Sequence, residues 1–254
     1  MTLLDAILLG TLQGLTEFLP ISSSGHLVLG QMIIGVKLPG NQFEVVAHLG
    51  TLLSVFFIYW KEILLLISGL ESIEKRKYLY YLILGTLPAG IFGFFGRSFI
   101  IEFFDSIQIV SFGLIFTGLI LFISKRLSMK SHPMNFKKAF LIGLSQAIAI
   151  IPGISRSGMT ICMGISLGMS GKAAAKFSFL LAIPAIAGAG LLTILDFQPE
   201  TILIPSYTLF ASFFSSFIVG YGCLKWLLGL LESGKFYFFG YYCIFIGVIM
   251  ISII

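Results

Sequence analysis

The sequence predicts an all-α polytopic membrane protein, an inverted-topology repeat with two re-entrant helix hairpins and about six transmembrane helices. Three observations lead there. The 254 residues have a mean hydropathy of +1.04 and only 11% are charged, against about 25% in soluble domains. A soluble chain of this length could not cover its surface with so few charges, which sets aside an aqueous globule. The apolar stretches contain Pro and Gly and are not short alternating segments, so a helical bundle is favoured over a β-barrel. Two of them are broken by related Ser/Gly/Pro turns.

In chain order, the first apolar segment runs from about Leu3 to Leu19 and Pro20 stops it. After the polar turn Ile21 to Gly25, a second arm runs from His26 to about Val36. Each arm is short for a span, so the pair reads as a re-entrant hairpin whose break is buried in protein or lines a wet cavity. Phe43 to Trp60 is a span closed by Tyr59, Trp60 and Lys61 as an interfacial belt. Ile63 to Leu70 is short and is placed at the interface. Tyr78 to Phe95 and Ile107 to Ile123 are spans, with a mixed loop over 97–105 between them. Ala139 to Ile151, stopped by Pro152, and Thr160 to Met169 form a second broken pair. Ala173 to Leu195, Leu203 to Leu230 and Phe236 to Ile254 complete the set. Gly10/Gly14 and Gly164/Gly168 are small-residue pairs suited to close helix packing.

Loop 74–77 is basic, and loop 125–138 carries Lys125, Arg126, Lys130, Lys137 and Lys138. Both are placed in the cytoplasm, and the Lys/Arg-poor loops 97–106 and 195–204 outside. The first hairpin then enters from the outer face and the second from the cytoplasmic face. The net charge of +5 is used in these loops and does not indicate a nucleic-acid partner. Cys162, Cys223 and Cys243 lie in apolar segments at spacings that suit neither zinc nor a disulfide framework. The N-terminus shows no basic region followed by a small-residue cleavage site, so no removable signal peptide is expected.

The two hairpins are related. Shifting the chain by 133 residues aligns 10–25 with 143–158 without gaps, with Gly10, Gln13, Ile21, Ser22, Ser24 and Gly25 meeting identical residues. Six identities in sixteen positions compare with roughly one by chance. An odd number of spans separates the copies, so their orientations are opposed. The chain is therefore one membrane domain, 1–254, with repeat 1 over about 1–124 and repeat 2 over about 134–254.

The breaks hold the polar residues. Arg156 is the one formally charged residue between Ala139 and Gly171, and an intramembrane arginine marks a functional site. Its guanidinium is a planar fork suited to phosphate oxygens. Ser155, Ser157 and Thr160 surround it, and a helix starting near Gly158 would point free N–H groups the same way. Ser22, Ser23 and Ser24 precede a similar start near Gly25. Together these make an anion site, for phosphate or diphosphate. Glu17 lies one turn after Gln13 on the same helix face, and His26 follows Ser23 by three residues, within reach of a hydrogen bond across the first turn. Serine, histidine and glutamate at an anion site suggest attack on phosphorus with acid–base help. Other readings remain. Ser22 and Ser24 suit helix N-caps, His26 suits an interior histidine, and Glu17 suits a structural partner for Arg156. His48, inside an apolar span, reads as a core residue rather than a neighbour of the site. His132 and the basic loops read as solvated or as headgroup contacts.

The stretches QGLTEFLPISSSGH (13–26) and PGISRSGMT (152–160) resemble the paired motifs of the undecaprenyl-diphosphate phosphatase family, also called the bacitracin-resistance family. FEVVAHLGTLLSV (43–55) and KFSFLLAIPA (176–185) extend the resemblance over essentially the whole chain. The resemblance implies hydrolysis of undecaprenyl diphosphate to undecaprenyl phosphate and phosphate, recycling the lipid carrier of peptidoglycan synthesis and giving resistance to bacitracin. It implies a divalent cation, Mg²⁺ or Ca²⁺, and an active site on the outer side of the bacterial inner membrane. It places the family's essential glutamate on Glu17, its nucleophilic serine on Ser23, its histidine on His26 and its arginine on Arg156. Gln13, Ser22, Ser24, Ser155, Ser157 and Thr160 are then substrate-binding, and Glu17 is the one metal ligand assigned. Gln13 takes the first place of a paired acid motif that accepts Glu or Gln, which weakens a two-carboxylate metal site. His48 stands where relatives are expected to carry an uncharged amide. Water attack, with Ser23 as a binding group, is the alternative route. The expected partners are a polyprenyl diphosphate and membrane lipids, with a homodimer among the oligomeric states left open. The rival classes are a lipid-phosphate flippase or anion transporter, and a lipid-binding relative without activity.

Overall fold

A computed structural model describes all residues except 37–41, 70, 105, 126–131, 196–203, 233–234 and 253–254. The expected positions Leu70, Arg126, Lys130 and Leu203, and most of the outward loop 195–204, lie outside the described residues. The chain is 86% helical, with no strand among the described residues. Among the described residues twelve α-helices follow in order: α1 Leu3–Phe18, α2 Ser23–Ile34, α3 Gln42–Ile58, α4 Trp60–Ser68, α5 Ile73–Phe95, α6 Arg97–Phe104, α7 Ile107–Ser124, α8 Phe136–Ile148, α9 Arg156–Ser166, α10 Gly171–Leu195, α11 Ser206–Glu232 and α12 Phe238–Ser252. Among the described residues five helices are long and apolar enough to cross a membrane, and six if α3 and α4, bent by 73°, form one span. Large apolar side chains such as Phe95, Ile33 and Ile218 stand exposed around the bundle, as a lipid-facing surface requires. This is a polytopic all-α membrane protein.

Two expectations of the sequence reading are corrected. The mixed loop over 97–105 contains the helix α6. The second arm of each hairpin starts earlier than expected, at Ser23 and at Arg156. The cause is capping one residue upstream. The hydroxyl of Ser22 accepts the N–H of Gly25 at 3.3 Å, and that of Ser155 accepts the N–H of Gly158 at 3.1 Å. Each cap satisfies an otherwise orphaned donor.

Glycine lets the helices approach. A Cβ on Gly10 would run into the backbone of Ser212, and one on Gly14 into the backbone of Ser216 and Gly220, so α1 lies directly against α11. Gly143, the residue matched to Gly10, sits in the same way on the backbone of Gly85, where α8 meets α5. Gly164 packs on Ala174, but Gly168 has φ +81° and belongs to the turn after α9, not to a helix interface. A buried cluster that includes Phe18, Phe177, Phe179, Ile161 and Leu224 fills the space between α1, α9, α10 and α11. Phe18 meets Phe179 edge-on at 5.6 Å.

The two hairpin turns touch each other. Gly25 faces Gly153, and Gly158 faces Pro20. Exchanging the copies by 133 residues turns one of these contacts into the other. Ser157 Oγ donates to the Leu19 carbonyl at 3.1 Å and closes the junction. Each turn also rests on a long helix. Thr117 of α7 donates to the Gly153 carbonyl at 3.1 Å and accepts the Ser155 N–H at 2.9 Å. Cys243 of α12 donates its thiol to the Pro20 carbonyl at 3.5 Å.

Gly153 combines φ +89° with direct packing on the Val110 carbonyl. Gly153→Ala is expected to cost about 1–3 kcal/mol of stability through overpacking and strain. A lower midpoint of thermal unfolding in detergent checks this, with Gly222→Ala, an open position, as the control expected to leave the midpoint unchanged.

Candidate functional site

The junction of the hairpins assembles one polar cluster around Glu17. Ser23 is the first residue of α2 and Arg156 the first of α9, so the two matched positions deliver a hydroxyl and a guanidinium to the same carboxylate. Arg156 Nη2 donates to Glu17 Oε1 at 2.6 Å. Ser23 Oγ donates to Oε2 at 2.7 Å, and Gln13 Nε2 donates to Oε2 at 3.0 Å from one turn back on α1. The Glu17 side chain is 5% exposed and that of Arg156 16%. Burial on this scale makes the pair interdependent, because removing one partner leaves an uncompensated charge costing about 3–5 kcal/mol.

Arg156 is held from behind as well. Its Nη1 lies 3.4 Å from the Ser178 carbonyl. Thr160 Oγ1 donates or accepts within 2.6 Å of Ser178 Oγ and lies 2.7 Å from the Arg156 carbonyl. The buried hydroxyls of Ser155, Ser157 and Thr160 are thus engaged in caps and inter-element bonds, which fix the base of Arg156. Ser155 Oγ and Ser157 Oγ are 3.2 Å apart, as are Ser22 Oγ and Ser24 Oγ in the first copy. Ser23 and Ser24 are partly exposed.

The structure places His26 differently from the expected bond to Ser23. Its Nδ1 donates to the Ser22 carbonyl at 2.8 Å, which leaves Nε2 to accept the Tyr242 hydroxyl at 2.8 Å. The two rings stack at 5.5 Å. The reason is helix geometry: the Ser22 carbonyl, at the N-cap, already accepts the His26 N–H one turn on and so lies within reach of the ring. Ser23 turns to Glu17 instead. His26 and Tyr242 form the polar wall of a groove of about 490 Å³ between α1 and α12, otherwise lined by residues such as Leu12, Leu15, Leu19 and Phe238.

His48 is corrected outright. It is no core residue: its Nδ1 donates to the Glu44 carbonyl at 2.6 Å and its Nε2 faces Glu17 Oε2 at 3.3 Å. Ser178, Thr117 and Tyr242 also escaped the sequence reading. They sit on α10, α7 and α12, away from both motifs. The signal for His48 was its charge-capable ring inside an apolar helix, one turn after Glu44.

A carboxylate, a hydroxyl and a guanidinium gathered where two helix breaks meet mark a polytopic membrane protein with a largely buried polar cluster in its bundle. The model of the family described as "Bacitracin resistance protein BacA" matches residues 6–249, and the chain belongs to that family. An undecaprenyl-diphosphatase of Methanosphaera stadtmanae is 38% identical over 270 residues, covering 98% of this chain and 97% of that one. One of Halothermothrix orenii is 39% identical, covering 99% and 98%. The undecaprenyl-diphosphatase 2 of Bacillus thuringiensis is 37% identical, covering 97% and 96%.

The geometry predicts how position 48 behaves. A glutamine there keeps an N–H donor for Glu17, whereas leucine removes it. His48→Gln is expected to stay within about threefold of the wild-type rate and His48→Leu to fall about tenfold or more, read as phosphate release from undecaprenyl diphosphate in detergent.

Proposed function

We propose that this protein hydrolyses undecaprenyl diphosphate to undecaprenyl phosphate and inorganic phosphate, with the cluster around Glu17 as its active site. The name shared by relatives along nearly the full chain supports the reaction. The observation that carries the site is the convergence of Ser23 and Arg156 on Glu17.

In this reading the terminal phosphate enters beside the guanidinium, which has five N–H donors for phosphate oxygens and the Glu17 carboxylate. Ser23 Oγ attacks the terminal phosphorus and its proton passes to Glu17, already its hydrogen-bond acceptor. The bond from phosphorus to the bridging oxygen breaks and undecaprenyl phosphate leaves. Water then attacks the phosphoserine, Glu17 returns the proton to Ser23 Oγ, and phosphate is released. His26 acts through the backbone of Ser22 and through Tyr242, holding the turn that aims Ser23. Phosphoryl transfer depends chiefly on positioning and charge neutralisation, and the reciprocal hairpin contacts supply the positioning. The groove between α1 and α12 offers an apolar wall for the isoprenoid tail. One hairpin belongs to each half of an inverted repeat, about 1–124 and about 134–254. The site opens to the outer side of the inner membrane, where the diphosphate is regenerated by cell-wall polymerisation, and the enzyme's action there confers bacitracin resistance.

Arg156→Ala and Ser23→Ala are each expected to lower phosphate release from undecaprenyl diphosphate by about 10²-fold or more, measured on purified protein in detergent. Near-normal release by Arg156→Ala would reject the site. No release by the wild-type protein would reject hydrolysis, since detergent removes any gradient a transporter would need.

A further inference from the structure

The divalent cation that family resemblance implies does not fit the residues as they stand. Among the described residues no group of three or more His, Cys, Asp or Glu side chains is close enough to hold a metal ion. Among the described residues Glu17 is the lone carboxylate of the cluster, and about four acceptor positions are all a carboxylate has. Arg156 takes Oε1, while Gln13, Ser23 and His48 crowd Oε2. An ion at the usual coordination distance of about 2.0–2.6 Å would stand against the fixed charge of Arg156. Glu44, one turn before His48, is turned to Gln31 at 3.4 Å. Gln13 supplies an amide where a second acid would complete a pair. Its Oε1 is fully buried and has no hydrogen-bond partner among the described residues. One neutral oxygen does not hold Mg²⁺ or Ca²⁺, which bind through carboxylates together with substrate phosphates.

We propose that the free protein has no resident divalent-cation site, and that the cation arrives on the diphosphate of the substrate. This rests on the phosphatase reading above. The diphosphate provides both missing ingredients. Its negative charge offsets that of Arg156, and its oxygens would hold the ion. The Oε1 of Gln13 would then be available to accept a hydrogen bond from water carried on the ion. Binding of the diphosphate and of the cation is therefore mutually strengthening, as linkage requires.

The test is calorimetric titration of the full-length protein in detergent with Ca²⁺ alone. The wild-type protein is expected to show no saturable binding up to millimolar Ca²⁺, whereas Gln13→Glu, which adds the second acid, gains a saturable site. In parallel, binding of radiolabelled methylenediphosphonate to the wild-type protein is expected to tighten at least tenfold when Ca²⁺ is added. Saturable Ca²⁺ binding by the free wild-type protein that disappears in Glu17→Gln would overturn the proposal. So would a Gln13→Glu protein that stays silent, or diphosphonate binding indifferent to Ca²⁺. None of these readouts is phosphate release, so their failure leaves the phosphatase reading standing, and its failure is seen separately.

Discussion

The ion pair between Glu17 and Arg156 is the constraint on which the rest of the structure depends. Neither group can stand unpaired in an apolar interior. They come from different hairpins, 139 residues apart in sequence, so pairing them obliges the two broken turns to meet. The meeting is arranged by backbone chemistry. Gly25, Gly153, Gly158 and Pro20 bring the turns into contact, and Ser157 and Thr117 satisfy the carbonyls that the breaks expose. A break in a membrane helix is tolerated because these neighbours replace its lost hydrogen bonds.

The matched motifs divide the work. Ser22 and Ser155 are both caps, and each lies 3.2 Å from the serine two places on. At the position between, the copies differ: Ser23 in one, Arg156 in the other. That divergence sets a hydroxyl at one helix start and a cation at the other, both bonded to Glu17. The second glutamine shows the same divergence. Gln13 donates to Glu17, whereas Gln146, its match, is buried with neither amide atom partnered among the described residues, because position 150 holds isoleucine where position 17 holds glutamate.

Much of this was legible before any coordinates. Hydropathy separated the long helices, and the Pro/Gly/Ser breaks located both turns to within a few residues. Helix starts were misjudged because Gly25 and Gly158 look like beginnings, while the caps lie upstream at Ser22 and Ser155. Glu17, Ser23, Gln13 and Arg156 could be named because each is a polar group set in an apolar run. His48 and Ser178 could not be assigned, since a lone polar residue on another helix carries no record of which way it faces. The expected pairing of His26 with Ser23 failed for a related reason. Spacing allowed it, but the Ser22 carbonyl and the hydroxyl of Tyr242 offered the ring other partners.

The sequence by itself determined the class of protein, the two broken hairpins, their relation to each other and the residues that had to be neutralised there. Those properties follow from composition and local pattern, because an apolar solvent penalises every unpaired charge and every unmade backbone bond wherever the chain runs. Only the tertiary structure decided which acceptor each donor found. It gave Ser23 and Arg156 to the same carboxylate, His26 to Tyr242, and His48 to Glu17. Hydrogen bonds are short and directional, so those choices depend on ångström-scale packing between helices far apart in the chain.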